Sequence, residues 1–185
     1  MLRRIMMSVA LLAGLGLASG CSGSGAGMQA FRIGKNMHRK DTNLRVYLDG
    51  QEAKQSKLKK GLAGYAAFKV KEEVGTSPVF KYEIIDSEKF GYIKDVVLLV
   101  HQKFEADFSD IADYKIFPRD MQDDDSNMKP GVDYDLGNLG QPFKILDKKD
   151  NEVTKVAFVP GQEYLLVLTI SADKSETIQI YFKTK

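Results

Sequence analysis

The chain has 185 residues, 27 of them basic and 25 acidic, with 43% hydrophobic and 28% charged side chains, one cysteine, two histidines and no tryptophan. This balance excludes collagen, coiled coil, a polytopic membrane protein and wholesale disorder. One cysteine excludes an internal disulfide framework and any cysteine-based zinc site, and two histidines leave little for metal or triad chemistry.

Residues 1–21 read MLRRIMMSVALLAGLGLASGC. Arg3 and Arg4 form a short positive region. From Ile5 to Leu17 no residue is charged and most are apolar, as in the h-region of a signal peptide. The run is shorter than the roughly 20 apolar residues a membrane span needs. Small residues Ala18, Ser19 and Gly20 lead directly to Cys21. This segment resembles the signal peptide of bacterial lipoproteins, with Ala18 standing where that family usually has Leu and Leu17 one place further out. The resemblance covers residues 1–21. It implies that Cys21 is lipid-modified and becomes the first residue of the mature chain. It also implies an address in the cell envelope. Ser22 after the cysteine, where Asp would mark inner-membrane retention, favours the periplasmic side of the outer membrane in a Gram-negative cell.

Physical chemistry agrees with that reading. Each buried CH₂ of an acyl chain contributes about 0.8 kcal/mol, so two or three chains anchor stably where one does not. Loss of residues 1–20 removes two arginines and no acid, leaving 25 basic and 25 acidic residues. A net-neutral mature chain gives no support to nucleic-acid binding. Residues 22–30, SGSGAGMQA, form a Gly/Ser tether of roughly 15–20 Å reach. Residues 31–185 have the length of one domain.

Strand patterns dominate that domain. Leu44, Val46 and Leu48 alternate with Arg45 and Tyr47, and Asp49-Gly50 then supplies a turn. Gln51 to Lys60 is polar all round and reads as a surface helix ending at Gly61 or a mobile loop. Phe68 and Val70 alternate with Lys69 and Lys71. Phe80, Tyr82 and Ile84 alternate with Lys81 and Glu83. Val96 to Val100 is a continuous apolar run, the pattern of a strand buried on both faces. Phe104, Phe108 and Ile111 have the spacing of a short amphipathic helix. Phe143–Leu146 and Val153–Val159 flank a turn at Lys148-Lys149-Asp150-Asn151. Glu163–Ser171 and Glu176–Lys183 form the clearest hairpin. About eight strands with turns between them predict an all-β, antiparallel β-sandwich with one or two short helices.

Pro130-Gly131-Val132-Asp133-Tyr134-Asp135-Leu136 and Pro160-Gly161-Gln162-Glu163-Tyr164-Leu165-Leu166 share the pattern PGx[D/E]YxL. Each reads as a Pro-Gly turn feeding a strand whose aromatic faces inward. The final 27 residues weakly resemble the last two strands of immunoglobulin-like and fibronectin-III-like modules. That resemblance implies a tyrosine-corner position for Tyr164 and carries no function.

Candidate chemistry is sparse. Asp123-x-Asp125-x-Asn127 begins like an EF-hand loop, whose oxygen ligands suit Ca²⁺, but Met128 replaces the turn glycine and Tyr134 the bidentate Glu. A Ca²⁺ site of another kind remains a candidate for Asp123, Asp125 and Asn127. His38 lies in a basic stretch, and His101 shares a face with Val97 and Leu99, as a half-buried or sheet-surface histidine would. Neither accompanies a nucleophile or metalloprotease motif. Gly61, Gly64 and Gly75 have no phosphate-loop spacing. No cofactor and no enzymatic activity are expected.

Charge segregation is the most informative feature. Residues 31–60 carry nine basic against three acidic residues, while residues 105–135 carry ten acidic against three basic. The basic block adjoins the anchor, where each cation near an anionic leaflet gains about 1 kcal/mol. The acidic block, with Asp120, Asp124, Asp133 and Asp135, is then free to meet a partner. The sequence therefore predicts a lipid-anchored envelope protein that docks another envelope protein. A small-molecule or glycan-binding lipoprotein is the first alternative, and a hydrolase with a spatially assembled site the second.

Overall fold

The computed structural model describes residues 42–56, 65–104, 107–120 and 126–185. The signal segment, Cys21, the tether, His38, Asp123, Asp124 and Asp125 lie outside these residues. The described chain is an all-β sandwich of two packed sheets, as its alternating apolar pattern requires.

The first sheet is built on β1 (Leu44–Leu48) and β5 (Val79–Ile84), which pair antiparallel from Leu44↔Ile84 to Leu48↔Phe80. Asp49 and Gly50 both have positive φ (49° and 74°), the geometry of a two-residue type I′ hairpin. They return the chain into β2 (Gln51–Glu52). Residues 51–55 of the polar stretch after this turn thus form short strands, where the sequence predicts a helix or mobile loop; residues 57–60 lie outside the described residues. The reason lies in Ala53, which is buried and donates its N–H to the Val46 carbonyl at 2.8 Å. That anchor passes the chain across to β3 (Lys54–Gln55) at the edge of the second sheet.

The second sheet is centred on β6 (Ile93–Phe104), β12 (Glu163–Ala172) and β13 (Glu176–Lys183). On one side it continues through β8 (Tyr114–Pro118), β10 (Phe143–Asp147) and β11 (Glu152–Val153). On the other, β4 (Ala66–Lys69) joins β13 and β3 closes the edge. The pairing is antiparallel except between β4 and β13, which run parallel. A short β9 (Tyr134–Asp135) completes the first sheet beside β5.

The apolar spacing explains the packing. Val96, Leu98 and Val100 of β6, Tyr164, Leu166, Leu168 and Ile170 of β12, and Ile178, Ile180 and Phe182 of β13 face the first sheet. There they meet Leu44, Val46, Leu48, Phe80 and Tyr82 in one core. The residues between them form a second cluster on the opposite face, with Val97, Leu99, Leu165, Val167 and Tyr181 at its centre. Burial on both faces is what the unbroken run Val96–Val100 predicts.

Two further expectations are corrected. Phe104, Phe108 and Ile111 do not share a helix. β6 runs through Phe104, and β7 (Asp107–Phe108) folds back on it with Lys103 opposite Phe108. Phe108 packs edge-on against Tyr181 at 5.5 Å, whereas Phe104 and Ile111 are 73% and 63% exposed, so no single apolar stripe exists. Beyond Val153 the chain leaves the ladder. Val156 and Phe158 are buried, but the segment is held by single bonds to Tyr164 and Thr184.

The repeated PGx[D/E]YxL pattern gives two equivalent corners, one in each sheet. Gly131 and Gly161 have φ of 79° and 72°, conformations that favour glycine. Tyr134 Oη accepts the Lys129 N–H at 2.6 Å, and Tyr164 Oη accepts the Val159 N–H at 2.8 Å. Each hydroxyl reaches five residues back to pin the chain before the turn. Tyr164 also stacks on Phe182 at 5.5 Å and meets Phe158 at 5.0 Å. Tyr164→Phe keeps these ring contacts and removes one acceptor, so it is expected to cost about 1 kcal/mol. Leu166→Ala, at the centre of the core, is expected to cost about 2–5 kcal/mol. Urea titration of both variants, with an unchanged slope, checks the ranking.

Candidate functional site

A cleft of about 370 Å³ opens at the end of the second sheet where β12 begins and β13 ends. Its floor is aromatic: Tyr181 of β13 lies in it, with Phe108 packed on the Tyr181 ring. One wall is the segment after β4. Val70 N–H donates to the Tyr181 carbonyl at 3.0 Å, and Val74 N–H donates to the Lys183 carbonyl at 2.9 Å, so this segment runs along the end of β13. The other wall is the β6–β7 hairpin, carrying Lys103, Asp107 and Phe108.

The rim carries both signs equally. Lys69, Lys71, Lys103 and Lys183 stand with Glu72, Glu73, Asp107 and Glu163. Lys103 Nζ lies 2.5 Å from the Glu163 carboxylate across the β6/β12 ladder, and Lys183 pairs with Glu73. The hydrogen bond from Lys103 holds the Glu163 carboxyl below its ordinary range, helped by the charges of Lys103, Lys69 and Lys183 and opposed by burial. The bond to Glu73 raises the Lys183 ammonium. Burial raises the Tyr181 hydroxyl, which therefore stays neutral.

Of the acidic residues singled out in the sequence, Asp120, Asp133 and Asp135 are among the described residues, and Asp123, Asp124 and Asp125 are not. Asp120 and Asp133 are exposed. One oxygen of Asp135 accepts from Ser77 Oγ at 2.5 Å and from Gly137 N–H at 2.9 Å, closing a turn. Asn127 Oδ1 accepts the Val96 N–H at 3.0 Å and its Nδ2 donates to the Lys94 carbonyl at 3.3 Å, tying the end of the loop to the start of β6. That amide oxygen is engaged in a structural bond. Among the described residues, no group of three or more His, Cys, Asp or Glu is placed to hold a metal ion. Two cations of the acidic block pair outside it: Lys115 with Asp150 at 2.6 Å and Arg119 with Glu152 at 2.5 Å.

His101 is fully buried, where the sequence predicts a half-buried or surface position. It lies on the outer face beside Val97 and Leu99, as its register requires, but the loop after β7 covers it. Nδ1 is 3.0 Å from the Ser109 carbonyl, and among the described residues Nε2 has no hydrogen-bond partner.

Sequence reasoning missed the cleft. Lys69 and Lys71 are legible as the polar face of a strand, but the far ends of β6, β12 and β13 meet only through pairing register. Assigning Phe108 to a helix also hid its place on the floor. Comparison of this chain with family models, with curated proteins and with solved structures finds no match. Among the described residues no helix is long and apolar enough to cross a membrane.

The rim pair yields a pH prediction. Because the Glu163 carboxyl is lowered on folding, its contribution is present above the ordinary carboxylate range and is lost as pH falls through the lowered value. Its side chain is 47% exposed, so the contribution is expected to stay below about 1 kcal/mol. Glu163→Gln is therefore expected to be slightly less stable than the parent at pH 7 and indistinguishable from it near pH 3, as read by urea midpoints.

Proposed function

We propose that this protein is a lipid-anchored envelope protein whose sandwich docks another envelope protein through the cleft at the end of its second sheet. The observation that carries the anchoring is in the sequence: a lone cysteine closes a charge-free apolar run and precedes a Gly/Ser tether. Acyl chains on Cys21 would supply stable membrane affinity.

Thr42, where the described chain begins, bonds to Glu176 at the start of β13, whereas the cleft lies by Glu163 and Lys183 at the other end of the same ladder. Seven residue steps of β12, from Glu163 to Ile170, separate those ends by about 23 Å at roughly 3.3 Å per residue. A rim with equal numbers of lysines and carboxylates suits a partner that is itself charge-patterned. Such pairing sets register and encounter rate more than affinity.

A second reading has its own support. The aromatic floor and a volume near 370 Å³ fall within the range of small-molecule sites, so the cleft would take a ligand with an apolar ring and a charged group.

Cys21→Ser is expected to abolish labelling by a palmitate analogue and to release the protein from membranes; undiminished labelling overturns the anchoring. Lys69→Glu with Lys71→Glu is expected to lower crosslinking of the full chain to its partner in intact envelopes at least severalfold. Unchanged crosslinking overturns the use of the cleft. A shift in melting temperature with an envelope metabolite extract, lost in the same double variant, would favour the second reading.

A further inference from the structure

We infer that His101 is the latch of an acid-released strap, formed by Asp107–Asp113, which closes over the outer face of the second sheet. The inference stands independently of the anchoring and docking proposed above.

The strap is held to the sheet at three places. At its start, Asp107 and Phe108 pair with Phe104 and Lys103, and the Phe108 ring sits on Tyr181. At its end, Asp113 N–H donates to the Val100 carbonyl at 2.8 Å, while the Asp113 carboxylate accepts the Gln102 N–H at 2.7 Å. Between them the tie is His101, whose Nδ1 meets the Ser109 carbonyl. Ile111, in the same stretch, is 63% exposed. Ala112 and Phe108 pack on the cluster of Val97, Leu99, Leu165, Val167 and Tyr181, so release of the strap uncovers apolar surface.

The bond to Ser109 fixes the ring chemistry. A carbonyl accepts only, so Nδ1 carries the proton of the neutral ring and Nε2 carries the lone pair. Nε2 is buried and finds no donor or acceptor among the described residues. Protonation would place a new N–H there, on a cation removed from water; the Ile111 carbonyl favours that N–H, but the loss of hydration on burial is the larger effect. The surrounding groups divide. From the strap, the Ser109 and Ile111 carbonyls and the Asp113 and Asp110 carboxylates favour the charged ring, but burial outweighs them and keeps it neutral. From β12, Leu165 lies directly opposite, and Glu163 is engaged with Lys103 two residues along. On β13, Tyr181 shares the face with a raised hydroxyl and adds no charge. On β8, Lys115 is paired with Asp150.

The sign follows from these facts. The closed strap holds a ring that resists protonation, whereas an open strap exposes a histidine of ordinary pKa near 6.5. Acid therefore favours opening, beginning as pH falls through about 6.5 and continuing down to the lowered value of the closed form. The open population is expected to rise by up to about tenfold between pH 7.5 and 5.5.

Hydrogen exchange of the full chain in detergent, corrected for the intrinsic pH dependence of exchange, tests this. Protection of the amides of Ile111 and Asp113 is expected to fall severalfold, up to that limit, between pH 7.5 and 5.5, while Leu166 and Leu168 keep theirs. In His101→Gln, whose amide can still donate to Ser109, the pH dependence is expected to vanish. Constant or increased protection of the strap on acidification, or the same loss in the variant, overturns the inference. Should the variant fail to fold, the imidazole NMR titration of the parent decides: His101 titrating below 6.5 supports the latch, and titration at or above 6.5 overturns it.

Discussion

The constraint on which this structure depends is the burial of β6, β12 and β13 on both faces. A sandwich strand ordinarily needs one apolar face, and the other can meet water. Here Leu166 and Leu168 face the first sheet while Leu165 and Val167 face the opposite way, and all four are buried. The second face has no second sheet among the described residues. It is served in part by Phe108 and Ala112 from the loop after β7. A continuous hydrophobic strand makes register demanding, because a slip by one residue would exchange two sets of apolar side chains that fit different neighbours.

That double burial also explains where chemistry can sit. Polar side chains cannot interrupt the middle of β12 or β13 without a partner, so Thr169 meets Thr177 at 3.1 Å and Gln179 accepts from the Tyr181 hydroxyl at 3.3 Å. Charged side chains are pushed to the strand ends, where Glu163, Lys183 and Lys103 gather around the aromatic floor. The cleft is thus a product of the core: its floor is the last apolar turn of the ladder and its rim is the first set of residues that reach water. The two tyrosine corners hold this ladder and the shorter sheet at their turns by the same device.

Much of the fold was legible because local pattern and tertiary environment agree. Alternation at Leu44–Leu48 and Phe80–Ile84, the unbroken run at Val96, the Asp49-Gly50 turn and the paired Pro-Gly motifs all translate directly into elements. Tyr114–Pro118 carries apolar or aromatic residues at four of its five positions and ends in proline, so no clean alternation marks it as a strand; it is defined by pairing with β6 and β10. Phe104, Phe108 and Ile111 have helical spacing by coincidence, since a hairpin brings only Phe108 against the sheet. The parallel pairing of β4 with β13 joins segments more than a hundred residues apart, and no local signal encodes it. Of the candidate site, Asn127 reads as a ligand by residue type, yet its amide serves as a backbone surrogate for Val96 and Lys94. His101 could be placed on the correct face, but its burial depends on a loop that periodicity misassigned.

The crossing at Ala53 has a mechanical meaning. Within five residues the chain leaves the edge of one sheet and enters the edge of the other, so the two layers are sewn together along one side. The main-chain bonds of the antiparallel ladders lie perpendicular to their strands. Tension applied between Thr42 and Lys183 would run along those strands and strain many bonds at once, instead of unzipping them singly, and the seam would keep the layers from gliding apart. A body made this way is suited to bearing a sustained tug.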